Sequence, residues 1–326
     1  VSTVTKADPA GPAGSARHLS ERRPLGDLSF QAVTLAAGLL VLVILVLIAI
    51  STSQQASSWF STEGIKVFSS TWNPSANQFG ALPFIYGTAV TAIIALVMAV
   101  PVSVAIALLL TEVVPRRWSR PIVYVIDLLA VVPSVVWGLW GILVFAPWIQ
   151  PIYGKVSSGV NGIPVLDSLF GGQASGASFF TAGIILAFMI TPIVTSLSRE
   201  VIATVPPIEK EGAYALGATR WEMIRGAVWP HSQAGVVGAV LLGLGRAMGE
   251  TIAVALVIGS SANITSHLLS PGYNMPSVIA NEFGEASGLF RAALIGMGVL
   301  LFAFTIIINI IARVIVERSG RRQRGA

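Results

Sequence analysis

Cysteine is absent from the 326-residue chain, which excludes disulfides, thiolate nucleophiles and cysteine-ligated metals. Charge is scarce, at 11% of residues, against about 25% in an average soluble domain. Lysine is scarcer still, confined to Lys6, Lys66, Lys155 and Lys210. A phosphate-cradling P-loop ends in Gly-Lys-Ser/Thr. Of these lysines Lys155 alone follows glycine, and Val156 comes next, so the chain has no P-loop. His18, His231 and His267 sit on separate segments and form no ligand spacing, so no metal site is expected. No Ser-His-Asp set or paired-carboxylate site is visible, and an enzyme is a poor reading of this chain.

What the chain has in abundance is hydrophobic residues, at 54%. A helix crossing the hydrocarbon core needs about 20 apolar residues. Six segments qualify: 30–50, 82–111 (interrupted by Pro101), 122–148 (with Asp127, Pro133 and Pro147), 179–198 (with Pro192), 233–259 (with Arg246 and Glu250) and 290–312. The fold class is therefore all-α integral membrane. Residues 1–29 are polar, and the run behind them is too long for the apolar core of a signal peptide. It reads as a retained helix. Of the 20 Lys and Arg residues, 16 fall on one side when the N-terminus is placed in the cytoplasm, and Lys66 and Lys155 fall on the other. By the positive-inside rule both termini are cytoplasmic. The net charge of +5 clusters at the ends of apolar runs, which suits membrane lipid and not nucleic acid. Outer loops over 51–81, 149–178 and 260–289 are rich in Ser, Gly, Asn and Pro. Glu282 and Glu285 in the last of them read as solvated groups or as contacts for another protein.

The cytoplasmic stretch 199–232 is the most informative. Pro206 and Pro207 break one helix and open another, since proline suits the first helical turn. Glu209 and Glu211 complement that helix's dipole. Gly217 is placed as a left-handed stop, and Thr219 with Glu222 reads as a capping box that starts a second short helix. A helix, tight turn and helix are expected on the cytoplasmic face. Tyr214, Leu216, Trp221, Met223, Ile224 and Trp229 are apolar residues on a loop that faces water. They are either a protein contact or the inner face of a helical pair folded back on its own spans.

The pattern Glu211, Gly212, Ala213, Gly217 and Pro230 resembles the EAA loop of ABC-importer permeases. That motif is Glu-Ala-Ala, three residues, Gly, nine residues, Ile, one residue, Leu-Pro. The chain departs from it at Gly212, Ala227 and Trp229. Three further stretches resemble the C-type permease subunit of the phosphate-specific transport (Pst) system. They are Trp72-Asn73-Pro74 through Gly87-Thr88, Val132-Pro133-Ser134 through Gly138, and Gly243 through Thr251.

The resemblance implies a type I ABC-importer permease core over 82–313, with an ancillary helix at 30–50 and a basic tail at 314–326. It implies a multi-pass protein of the bacterial inner membrane. Its coupling loop, 207–229, would dock on a separate ATPase through Glu211, Gly212, Ala213, Gly217, Thr219, Trp221 and Pro230. ATP and Mg²⁺ would be held by that ATPase, and this chain would bind no cofactor. The implied partners are an A-type permease forming a heterodimer, two ATPase subunits and an extracytoplasmic phosphate-binding protein. Two alternatives stay open: a permease for another anion such as sulfate or molybdate, and an ion-driven secondary transporter.

A charge at mid-membrane costs about 2.5–3.5 kcal/mol on insertion scales. Arg246 and Glu250, four apart, would share a helix face and pair. Arginine's planar donors match phosphate oxygens, so Arg246 is either a phosphate contact in the translocation path or half of a packing ion pair. Ser134 and Thr191, beside Pro133 and Pro192, are candidate hydroxyls for the same path. Asp127 reads as an interfacial, hydrogen-bonded acid.

Overall fold

The computed structural model describes residues 25–160 and 162–324. The expected N-terminal tail lies outside them through residue 24. In the basic tail the backbone is described to Arg324 and the side chains to Val314. Two compact units divide between Ile50 and Ser51. In the first, the leading part of α1 (Leu25–Glu63) carries exposed apolar side chains from Phe30 to Ile50. A helix apolar all round is one that meets lipid.

The second unit opens with the end of α1 and a hairpin of β1 (Trp72–Asn73) and β2 (Gln78–Phe79), in which Trp72 faces Phe79. Then follow α2 (Leu82–Leu108), α3 (Arg116–Val131), α4 (Ser134–Trp140), α5 (Ala146–Gly159) and α6 (Pro164–Phe170). The chain continues with α7 (Phe179–Ala203), α8 (Pro207–Ala215), α9 (Arg220–Met223) and α10 (Trp229–Gly249). It ends with α11 (Ile252–Val257), α12 (Met275–Glu282) and α13 (Gly288–Arg324). Single π-helical turns extend α2 over Leu109–Val113, join α4 to α5 over Gly141–Phe145, and join α9 to α10 over Ile224–Val228. Among the described residues, six helical runs are long and apolar enough to cross a membrane.

The centre of the unit is α7, the most enclosed of the six. Glycines let its neighbours approach closely, as small residues do between membrane helices. A Cβ at Gly183 of α7 would lie 2.4 Å from Ile94 of α2, and one at Gly243 of α10 would lie 2.6 Å from Val194 of α7. The main core gathers Phe79, Phe84, Phe179, Ile185, Val254, Val257, Met275 and Leu294 around this contact.

Two spans differ from the expectation. The third is not one helix over 122–148. It breaks at Val132 and Pro133, neither helical and the second extended, and the long helical run is Ser134–Gly159. Proline cannot donate the backbone bond that would carry the helix through. Asp127 nonetheless bonds Ser196, Gly141 lies against Ile185, and Gly176 lies against the Ala146 backbone. Residues 127–146 thus run antiparallel to α7. The fifth span ends at Gly249, not 259: Glu250 is extended, and α11 starts afresh at Ile252.

Candidate functional site

The loop between the fourth and fifth spans folds largely as its residues dictate. Pro207 opens α8. At its other end Ala218 N–H donates to Ala213 O (3.1 Å) and Gly217 N–H donates to Tyr214 O (2.9 Å). These are the two bonds of a Schellman stop. Gly217 has φ +84°, a backbone conformation costly for any residue with a Cβ. Thr219 then caps α9: Glu222 N–H donates to its hydroxyl, while Thr219 N–H donates to Glu222 Oε2 (2.8 Å). The second helix is not a separate short one, however. It runs through the π turn into α10, with Pro230 in the first turn of α10.

The apolar residues of the loop divide between the two roles open to them. Met223 and Ile224 are buried, packed with Ala107, Ile202, Val205, Val228 and Val236, with Ala213 against them. Leu216 is 90% exposed, Ile208 76% and Trp221 67%, and Tyr214 and Trp229 are exposed too. Glu211 and Gly212 also face outward. One face of the loop is therefore anchored, and the other presents large apolar side chains around a turn fixed by two caps.

Sequence reasoning missed what holds α8 to the spans. Lys210 Nζ meets Glu112 Oε1 at 2.6 Å, across 98 residues, with side-chain exposures of 23% and 6%. Its neighbour Glu209 reaches His231 Nδ1 at 3.3 Å. The signal available was Glu112 itself, an acid at the end of an apolar run.

At mid-membrane the expected pairing is not formed. Among the described residues no ion pair joins Arg246 to Glu250. The reason is the helix break: leaving the helix at Glu250 abolishes the i,i+4 relation. Glu250 is buried, and its Oε1 accepts from Ala253 N–H (3.4 Å) at the start of α11. Arg246 is exposed on α10, on the same side as Gly238, Leu242 and Gly249. A Cβ added at Gly238, Gly245 or Gly249 would meet nothing within 4 Å. Gly138 packs on Ala253, so Ser134, one turn earlier on α4, stands beside the Gly249–Glu250 break. Ser134 and Arg246 thus share the region where two spans are interrupted. Thr191 does not join them. Its hydroxyl donates to Ala187 O (2.7 Å) within α7, and its carbonyl accepts from Ser103 of α2 (3.2 Å).

In the last outer loop Glu282 is not a solvated acid. Its Oε2 accepts from Trp72 Nε1 (3.1 Å), and Trp72 packs edge-on against Phe79 and Phe84. Burial pushes the Glu282 carboxyl above the usual range, and the bonds from Trp72 and Tyr273 oppose that rise.

The family described as "Binding-protein-dependent transport system inner membrane component" matches residues 99–324. A phosphate transport system permease protein PstC of Mesorhizobium japonicum is 43% identical, over 99% of both chains. One from Haemophilus influenzae is 43% identical over 89% of this chain and 92% of that relative. Among solved structures, a bacterial alginate ABC transporter in complex with an alginate pentasaccharide-bound periplasmic protein superposes with a TM-score of 0.60 at 14% identity. That match covers 91% of this chain and 98% of its own. An inward-facing MetNI methionine ABC transporter gives 0.53 at 15% identity, over 73% and 94%. The fold is that of type I ABC-importer permeases.

Proposed function

This chain belongs to the family of binding-protein-dependent transport system inner membrane components, and we propose that it is the membrane-spanning permease subunit of an ATP-driven importer of inorganic phosphate. The observation that carries the substrate is the 43% identity to a phosphate transport permease over 99% of both chains. The spans make it a multi-pass inner-membrane protein, and the sixteen-to-two charge asymmetry supports cytoplasmic termini. The chain does no covalent chemistry. ATP and Mg²⁺ belong to two ATPase subunits, and an A-type permease completes a central path. An extracytoplasmic binding protein delivers phosphate at the outer face.

The coupling role of residues 207–229 is supported by the exposed Ile208, Leu216 and Trp221 on a rigidly capped turn. Glu211, Gly212, Ala213, Gly217, Thr219 and Pro230 form the frame that presents them. ATP binding closes the ATPase dimer, the loop moves with it, and the spans exchange outward-facing for inward-facing states. The work of the chain is its differential stability in those two states. Arg246 lines the path. Its exposed, glycine-flanked face offers planar donors to phosphate oxygens, beside Ser134 and the half-helix start at Glu250–Thr251. With no carboxylate partner among the described residues, Arg246 is available to an anion. Thr191 is a weaker candidate for this path, since its hydroxyl donates to Ala187 O within α7.

The test is reconstitution with the candidate permease, ATPase and binding protein in sealed vesicles. Phosphate uptake that requires ATP and all partners supports the reading. Uptake that persists without the ATPase points to an ion-driven transporter, and sulfate or molybdate uptake in place of phosphate points to the other anion class.

A further inference from the structure

The coupling helix α8 has few ties to the rest of the chain. Ala213 rests on the small cluster built from Ala107, Met223 and Val228. Beyond the packing of α8 on α9 and the π turn that follows, two adjacent charged residues reach from it in different directions: Glu209 to His231 at the start of α10, and Lys210 to Glu112 at the end of α2. The first is well exposed at both ends, and exposed pairs contribute little.

The second differs in kind. The Glu112 side chain is 6% exposed, and a buried charge is strongly unfavourable once its partner leaves. If α8 moves, Glu112 has to move with it. Glu112 also sits where the backbone can yield. It lies in the π turn Leu109–Val113, which ends at an extended Val114 and Pro115, and α3 begins directly after. Such single π turns often mark functional places in helices. From there α3 leads to the Val132–Pro133 break and to Ser134 beside Glu250.

We propose that the Lys210–Glu112 pair is the link that carries the motion of α8 to the α2–α3 corner, so that both are positioning residues for coupling. The inference rests on the coupling role given to residues 207–229. Loss of either partner releases α8 from the corner, and ATP is then consumed without proportionate movement of phosphate.

The absence of cysteine permits a clean test. The assembled importer is reconstituted with Lys210→Met, Glu112→Gln, the exchange Glu112→Lys with Lys210→Glu, and the neutral double Glu112→Gln with Lys210→Gln. Phosphate imported per ATP hydrolysed is measured for each. Each chain also receives spin labels on cysteines at Ala215 and Arg117, both exposed. The single variants should lower the coupling ratio by at least about tenfold, since removing one side of a largely buried pair leaves the other group without its partner. They should also broaden the label-to-label distance. The exchange or the neutral double should recover both readouts. A purely structural pair would lower assembly and leave the ratio per assembled complex unchanged. The proposal is overturned if the singles keep the wild-type ratio and distance, or if neither double recovers anything. If wild-type complex moves no phosphate, the functional reading fails, while the label distances still report whether the pair holds α8 to the corner.

Discussion

Two glycines of the proposed coupling loop should respond to the same substitution in opposite senses. Gly212 and Gly217 both face open space, with nothing within 4 Å of an added Cβ, so no clash enters the comparison. Gly217 is left-handed at φ +84°, and an L-residue held there costs about 1–2 kcal/mol. Gly212 lies inside α8, where alanine is favoured by about 0.5–1 kcal/mol. Gly217→Ala should therefore open the α8–α9 turn about 5–30-fold more often, while Gly212→Ala should close it further. Hydrogen exchange of the Leu216–Ala218 amides in the detergent-solubilised chain reads both directly. Phosphate uptake should fall for Gly217→Ala and hold for Gly212→Ala. Equal protection in Gly217→Ala and wild type would refute the argument, since the added Cβ meets nothing within 4 Å that could compensate.

Thr219→Ala removes the capping box and should cost about 1 kcal/mol, seen as faster exchange over residues 219–223 with little change in α8. Arg246→Met should leave assembly with the ATPase intact and abolish most phosphate uptake, and normal uptake in an assembled complex would remove Arg246 from the path. Glu250→Gln keeps an acceptor for Ala253 N–H, so it should assemble and retain more uptake than Arg246→Met. Glu282 has its carboxyl raised above the unfolded value by burial, so the unfolded chain ionises first as pH rises. The folded state then loses stability through the ordinary carboxylate range, up to the raised value. Glu282→Gln should accordingly stabilise more at pH 7 than at pH 4 in thermal melts, and an equal effect at both pH values would contradict the assignment.

The six spans and the loop caps were legible because each is a local statement. Long apolar runs, Pro207, Gly217, and Thr219 with Glu222 act within one helix or one turn. The breaks at Pro133 and Glu250 were less so. Pro133 is visible in the sequence, but a proline in a membrane helix either bends it or breaks it, and neighbouring helices decide which. Gly249-Glu250 leaves the helix where α11 packs against α4 at Ala253 and Gly138, a contact 115 residues apart in sequence. That tertiary choice also undid the expected Arg246–Glu250 pair. Glu112 and Lys210 stayed hidden for the same reason: an ion pair across 98 residues leaves no periodic trace. Thr191 looked suitable by composition, and its hydroxyl donates to Ala187 O within its own helix.

The most direct measurement of the central claim is phosphate uptake into vesicles holding this chain with the proposed A-type permease, ATPase subunits and binding protein, with and without ATP inside the cytoplasmic compartment. The account predicts uptake that needs ATP, is lost when the binding protein or ATPase is omitted, and is uncoupled from hydrolysis by Lys210→Met. Phosphate movement of equal rate without ATP or without the ATPase would contradict it.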